Sequence, residues 1–379
     1  MKYKMQRRIL VLFLLVVLFI GLSSSAFSVE KKVYGKGYLE GRNEILILHL
    51  KGSPYEMGYQ HGMLTKHLMG KSKEAFDEAL PPIKGGRVGE WIIKRYLFWK
   101  LGKMEKYVPR EFIEELKGMA DSITEKEVDY REILLYHALR DIGQVLGCSS
   151  FIALPQTTKN RELIYGRNFD FLKGDSLENL ITFYEPDKGN SFVSIGWPGM
   201  IGVVSGMNDE GLTVGILAAY SKDVSFDGMP SCFLMRKVLQ YANNVEEAKE
   251  IIVKSKRTGP NIVLLADKEG ALIVECTATK YALRKPQDGI LFSSNHFLSP
   301  IYEQDKKRKR ALESGDSEKR YERIEKLLKE NYGQIDVEYG IKILRDDIIL
   351  KENILHSVIF HPRTLDFLIA PAPVASGNF

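Results

Sequence analysis

The chain has 379 residues, with 54 Lys plus Arg against 49 Asp plus Glu, a formal net charge of +5 and 44% hydrophobic residues. That balance allows a sizeable buried core and excludes a disordered chain, and the length allows two domains or one large α/β unit. The three cysteines, Cys148, Cys232 and Cys276, exclude a disulfide framework.

The first 28 residues read as a secretory signal. Lys2, Lys4, Arg7 and Arg8 form a positive start, residues 9–22 are apolar, and Ala26-Phe27-Ser28 fits a small-x-small cleavage site. The apolar run is shorter than the ~20 residues of a spanning helix. The expectation is an exported protein; the alternative is a signal left uncut, which would anchor the protein to a membrane through residues 9–22. Four of the 54 basic side chains and no acidic one lie in the signal, so the rest carries 50 against 49, a net charge of +1. No nucleic-acid partner is implied.

A short link leads to a strand over 44–50. Ser53, Pro54 and Glu56 then spell a helix start, with Ser53 as N-cap and Glu56 completing a capping box. Gly58 and Gly62 cost helix stability and imply that another element packs closely on their face. Residues 72–146 read as helices with breaks at Pro81-Pro82, Gly85-Gly86 and Val108-Pro109, the last helix covering 130–145. Trp91, Ile92, Tyr96, Leu97 and Trp99 stand at helical spacing and read as a core face, the alternative being a pocket wall.

The character changes at Cys148. Residues 149–155, 163–169, 180–185, 191–197, 201–206 and 212–219 are short and β-prone, with turn residues between them. Helices follow at 230–241 and 245–254, the second capped by Asn244 with Glu247 three residues on. Strands return at 262–267, 271–276 and 290–294, then helices around 321–328 and at 337–344, then a hairpin of 357–361 and 365–370 across Arg363-Thr364. This order predicts two packed sheets with helices outside. Lys306-Lys307-Arg308-Lys309-Arg310 reads as a solvated loop. Cys232 and Cys276 read as small buried side chains, the alternative being a bridge between them that leaves Cys148 free.

No P-loop, dinucleotide-binding glycine motif, His-Glu-x-x-His, Cys-x-x-Cys or Gly-x-Ser-x-Gly is present, and the seven histidines are scattered. No metal and no cofactor is expected. What remains is Gly147-Cys148-Ser149 at the end of a helical segment, followed by Gly166-Arg167-Asn168-Phe169-Asp170-Phe171. A chain cut between Gly147 and Cys148 would free an N-terminal cysteine. Its α-amine, with a reference pKa of roughly 7.7–8.0, would serve as a base for its own thiol. Glycine before the cut removes side-chain hindrance. Taken singly, Cys148 reads as a buried structural cysteine and Arg167 with Asp170 as an ordinary salt bridge; in a cut chain Arg167 would favour the thiolate, and Asp170 would orient the α-amine.

These two motifs resemble the N-terminal-nucleophile hydrolases, most closely the penicillin acyltransferase group (acyl-CoA:6-aminopenicillanic acid acyltransferase-like), which is related to the choloylglycine hydrolases that cleave bile salts and penicillin V. Further matches run in order along the chain. The segment from Gly52 to Gly62 resembles the group's pro-segment motif. Gly206-Met207-Asn208-Asp209-Glu210-Gly211-Leu212 resembles its loop with an oxyanion-hole asparagine, Ser294-Asn295-His296-Phe297 its second asparagine strand, and Ser317-Glu318-Lys319-Arg320 its later arginine motif.

The resemblance implies an α+β fold, a four-layer αββα sandwich of two antiparallel sheets with a helical N-terminal pro-segment. It implies a signal at 1–28, a pro-segment at 29–147 and a catalytic segment at 148–379. It implies self-cleavage at Gly147–Cys148 and cleavage of a linear amide through a Cys148 thioester, with hydrolysis favoured over acyl transfer, a small acyl-amide substrate, and two fragments that stay together. Asn208 would donate to the oxyanion, Asn295 would assist there, and Arg320 would join the site. The long Cys148–Arg167 hairpin and the large pro-segment argue against bile salts as substrate. The competing readings are a conventional Cys–His peptidase using Cys148 with His296, and a non-enzymatic exported binding protein on the same fold.

Overall fold

Residues 31–42, 45–79, 86–123, 129–142, 147–171, 177–307, 312 and 315–371 are described in a computed structural model of the chain. The predicted signal, Val145, Leu146, residues 308–310 of the basic run and the side chains of Trp91 and Ile92 lie outside the described residues.

Two sheets form the body. The ten-stranded sheet has the order β1-β2-β3-β6-β7-β8-β9-β10-β11-β12. Its strands are β1 (Lys32–Tyr34), β2 (Gly37–Arg42), β3 (Ile45–Gly52), β6 (Leu180–Pro186), β7 (Phe192–Gly196), β8 (Ser205–Asn208), β9 (Thr213–Ala218), β10 (Asn261–Ala266), β11 (Ala271–Cys276) and β12 (Tyr281–Arg284). The five-stranded sheet has the order β13-β4-β5-β14-β15. Its strands are β4 (Cys148–Ala153), β5 (Ile164–Asp170), β13 (Ile290–Ser293), β14 (Ile354–His361) and β15 (Asp366–Pro371). The sheets meet face to face through β4 against β9 and β11 against β13.

Helices cover the outer faces. α5 (Ser231–Tyr241) and α6 (Val245–Lys254) lie on the large sheet, and α7 (Asp316–Glu330) and α8 (Val337–Leu344) on the small one. The expected α+β sandwich of four αββα layers is therefore the observed architecture. Its sheets are antiparallel with one exception, because β3 runs parallel to β6 from Leu46 opposite Leu180 to Gly52 opposite Pro186.

The N-terminal segment has the strand expected over 44–50, seen as β3, and two more before it. It carries α1 (Pro54–Ala79), α2 (Gly86–Glu105), α3 (Arg110–Asp121) and α4 (Tyr130–Ile142), but β1, β2 and β3 precede them and extend the large sheet. The link before residue 44 looks like coil in sequence because β1 is short and exposed. β12 was equally invisible; it is a four-residue edge strand with alternating exposed and half-buried residues.

Local signals held where partners are local. Ser53 and Glu56 form the reciprocal capping box, with Ser53 N–H on Glu56 Oε2 at 2.8 Å and Glu56 N–H on Ser53 Oγ at 3.4 Å. Asn244 caps α6 by accepting from Glu247 N–H at 2.9 Å. The close approach at Gly58 and Gly62 is with α3: a Cβ on Gly58 would fall on the Glu115 carbonyl, and one on Gly62 on Ser122 Oγ.

Two expectations fail. Tyr96 and Trp99 are not core; they are 52% and 57% exposed. Lys100 and Lys103 lie over the Trp99 ring at 5.0 and 4.5 Å, so cationic stems rather than apolar neighbours cover these aromatics. The strand expected over 201–206 starts only at Ser205, because groups outside the sheet occupy the backbone of residues 199–203.

Candidate active site

The period of two along β4 sorts its six buried residues between two environments. Cys148 and Ile152 belong to the core between the sheets, whereas Phe151 and Ala153 pack with α7 and α8. β5 pairs with β4, Cys148 opposite Phe169 and Ser150 opposite Arg167. Tyr165 and Phe169 share the inter-sheet core and Ile164 the helix side, so Arg167 stands on the same face as Cys148, and Asn168 and Asp170 on the other.

Arg167 is fully buried. Its Nη2 donates to Ile216 O of β9 at 2.6 Å and lies 3.8 Å from Cys148 Sγ. Its Nε and Nη1 make no hydrogen bond within ordinary limits among the described residues. Arg320 reaches in from α7. Its Nη1 donates to Cys148 O and, at 2.9 Å, to Ser149 Oγ. Its Nη2 donates to Asn295 Oδ1 at 2.9 Å, and its Nε meets Asp316 Oδ2 at 3.1 Å. Asn295, two residues beyond β13, accepts the Cys148 N–H on its Oδ1 at 2.7 Å and donates its Nδ2 to Ala218 O at 2.8 Å. Its backbone N–H is held by Ser317 Oγ at 2.8 Å.

Asp170 ends β5. Its N–H donates to Gly147 O at 3.1 Å. Its carboxylate is buried, and neither oxygen has a hydrogen-bond partner among the described residues. Burial pushes its pKa up to about 6, against the opposing pull of Arg320, Lys351 and Arg167. A Cβ on Gly147 would stand 2.5 Å from Asp170 Oδ2. The glycine is thus what lets the chain pass the carboxylate before entering β4.

The structure brings Gly147, Cys148, Arg167, Asp170, Asn295 and Arg320 together, from residues distant in sequence. It does not bring Asn208. That side chain donates to Leu239 O at 2.9 Å and Ala242 O at 2.8 Å, and accepts from Glu210 N–H at 3.2 Å and Leu212 N–H at 2.9 Å. It closes its own turn and satisfies carbonyls at the end of α5, so its amide is committed away from Cys148. Asn295 also differs from expectation, since it faces the Cys148 nitrogen with its acceptor. His296 turns its Nδ1 to Ser317 Oγ at 2.8 Å and Ser294 Oγ at 3.1 Å.

Sequence reasoning placed a strand over 212–219 but missed its role: the β9 carbonyls at Ile216 and Ala218 hold Arg167 and Asn295. Backbone acceptors leave no residue signature. The one available trace was Gly215, where a Cβ would stand 2.8 Å from Arg167 Nη1. It also missed Ser149 and Ser317, which bond Arg320 and Asn295. Cys232 and Cys276 are buried and do not bridge to each other, and burial pushes Cys276 up to about 12.

Residues 156–356, just over half of the 379, match the family model described as acyl-coenzyme A:6-aminopenicillanic acid acyl-transferase. The chain belongs to that family. It is the family that the ordered motifs resemble. The chain is 29% identical over 362 residues to an uncharacterized protein of Archaeoglobus fulgidus, covering 82% of this chain and 59% of that protein. It is 28% identical over 254 residues to protein dcd1B of Dictyostelium discoideum, covering 62% and 50%. It is 24% identical over 203 residues to the N-acylethanolamine-hydrolyzing acid amidase of Caenorhabditis elegans, covering 48% and 55%. The chain therefore spans between half and three-fifths of the length of these relatives. A solved structure of the Caenorhabditis elegans N-acylethanolamine-hydrolyzing acid amidase ortholog aligns at 15% identity and a TM-score of 0.45, covering 59% of this chain and all of that one.

Proposed function

We propose that this family member cuts itself between Gly147 and Cys148 and then hydrolyses linear acyl amides with Cys148 as N-terminal nucleophile. The observation that carries the reading is how one peptide bond is held. The Gly147 carbonyl accepts from Asp170 N–H at 3.1 Å, and the Cys148 N–H donates to Asn295 Oδ1 at 2.7 Å. Both ends of the bond to be broken are thus gripped while Arg167 stands beside the thiol.

In self-cleavage, Sγ loses its proton and attacks the Gly147 carbonyl carbon. The C–N bond breaks, the Cys148 nitrogen takes the proton, and Gly147 becomes a thioester on Sγ. Water resolves the thioester to a Gly147 carboxylate and a free thiol. The freed amine then acts as base for the thiol in the second reaction. Its nearest fixed partner is Asn295 Oδ1. An acyl amide enters, Sγ takes its acyl group, the amine product leaves with a proton, and water releases the acid.

Arg167 serves as the fixed positive charge for thiolate and oxyanion, because two of its nitrogens are uncommitted. Arg320 fixes Ser149, Asn295 and the Cys148 carbonyl as one unit. The acyl-amide class is supported by the relative named for hydrolysing N-acylethanolamines.

Intact mass and N-terminal sequencing of the purified protein, beside Cys148→Ala, test the reading. The expected result is a larger fragment beginning Cys-Ser-Ser-Phe in the wild type and an uncut variant. A wild-type chain that stays whole on long incubation would sink it.

A further inference from the structure

The loop over residues 197–204, between β7 and β8, is apolar enough to have read as a strand. Side chains of the N-terminal helices hold its backbone instead. Gly199 N–H donates to His61 Nε2 of α1 at 3.0 Å, and Ile201 N–H to His137 Nε2 of α4 at 3.0 Å. Ile201 O accepts from Arg236 Nη1 at 2.9 Å, and Arg236 is anchored by Glu115 of α3 at 3.0 Å. Val203 N–H goes to Cys232 O at 3.0 Å.

Both histidines work as acceptors, which only a neutral imidazole can do. His137 Nδ1 lies 2.7 Å from Ile133 O, and that contact fixes the tautomer with Nε2 unprotonated. Burial holds both rings neutral, with pKa values of about 3 for His61 and about 4 for His137; the charge that acts on His61 is Arg236, itself paired with Glu115. An apolar side chain in either place would strand a buried backbone N–H.

The loop opens on Trp197, which stacks on Phe171 with ring centroids 4.9 Å apart and on Phe169 at 6.4 Å. Those two rings flank Asp170, and Phe169 pairs across the ladder with Cys148. A continuous packed path therefore joins the N-terminal helices to the Cys148 centre.

We infer that His61 and His137 are positioning residues for the Cys148 centre, acting as paired imidazole clamps on the 197–204 loop and through Trp197 on the Phe169–Phe171 strand end. The N-terminal segment is then a working part of the active site, before and after the chain is cut. The inference takes from the proposed function only that Cys148 is the reacting centre.

The test uses the full chain with His61→Leu, His137→Leu, His61→Gln and His137→Gln. Glutamine keeps an acceptor for the backbone N–H; leucine does not. Hydrogen exchange of the Gly199 and Ile201 amides is read beside the rate of Cys148 alkylation by iodoacetamide, with Cys276, which lies on β11 away from the loop, as internal reference. Each leucine variant is expected to speed exchange at its own amide at least tenfold and to change Cys148 alkylation at least fivefold with Cys276 unmoved. The matching glutamine variant is expected to restore both.

Faster exchange with unchanged Cys148 reactivity would overturn the inference by showing a purely structural contact. Unchanged exchange would overturn the clamp itself. Should the leucine variants fail to fold, the glutamine variants decide: wild-type protection and wild-type Cys148 reactivity support the clamp, and lost protection or altered reactivity refutes it. A wild-type chain that is never cut would end the self-cleavage reading yet leave these readouts intact, so the two failures are separable.

Discussion

Two of the protein's buried clusters of charge are built on opposite terms. Beneath the N-terminal helices, Arg236 and Glu115 meet at 3.0 Å, and the guanidinium also donates to Gln240 Oε1 at 3.1 Å and Ile201 O at 2.9 Å. The rings of Tyr184 and Phe192 pack over it at 4.1 and 4.6 Å. At Cys148, by contrast, both oxygens of Asp170 and two nitrogens of Arg167 are buried with no hydrogen-bond partner among the described residues. Removing a charge from water costs several kcal/mol unless partners offset it. The first cluster meets that cost within the fold and serves architecture. The second leaves valences open beside a thiol and a glycine, where a freed amine and a substrate would fill them.

Two carboxylate substitutions probe the contrast most directly. Asp170→Asn keeps the shape but removes the charge. Self-cleavage and amide turnover are expected to fall by roughly 10²–10⁴, with the melting temperature unchanged or raised, because an unpaired buried charge is gone. A cleavage rate within threefold of wild type would put Asp170 outside the chemistry. The same group sets a pH dependence. Its pKa is raised from 3.8 to about 6 by burial, so the carboxylate gives way to the acid as pH falls through about 6. Cleavage is expected to decline on that limb, and the limb is expected to vanish in Asp170→Asn. The stability sign runs the other way: the native state holds this proton more tightly than the unfolded chain, so Asp170 disfavours folding above about pH 6, and this penalty fades as pH drops toward 3.8.

Glu115→Gln should do the opposite of Asp170→Asn. It leaves Arg236 buried and uncompensated, at a cost of about 3–5 kcal/mol in denaturant unfolding, while the folded fraction still processes itself. Equal stability of variant and wild type would mean that the pair is not a lock. Asn208→Ala sharpens the division between the two asparagines. Having lost its turn and α5 contacts, it should destabilise by about 1–3 kcal/mol without changing the rate per folded molecule; a large fall in that rate would return Asn208 to the site. The smallest effect is expected for Ser53→Ala, about 1 kcal/mol from the α1 cap, seen as a modest drop in melting temperature with cleavage unaltered.

Much of this was legible from the chain itself. The span of α6 with its Asn244 cap, the capping box at Ser53 and Glu56, and the tight face at Gly58 and Gly62 all depend on neighbours within a few residues or on the absence of a side chain. The shared face of Cys148 and Arg167 follows from the two-residue period of paired strands. What the tertiary structure decided were the partners of groups that look alike in sequence. Asn208 and Asn295 both follow short β-prone runs, yet one closes a turn beside α5 and the other holds the Cys148 nitrogen. An amide side chain bonds whatever acceptor or donor the distant chain brings near it. Residues 201–204 have strand composition but form a loop, because His137 and Arg236 engage the Ile201 backbone and His61 that of Gly199 just before it. Periodicity and capping are local and can be read in order; hydrogen-bond partners and charge compensation are non-local and exist only once the layers have closed.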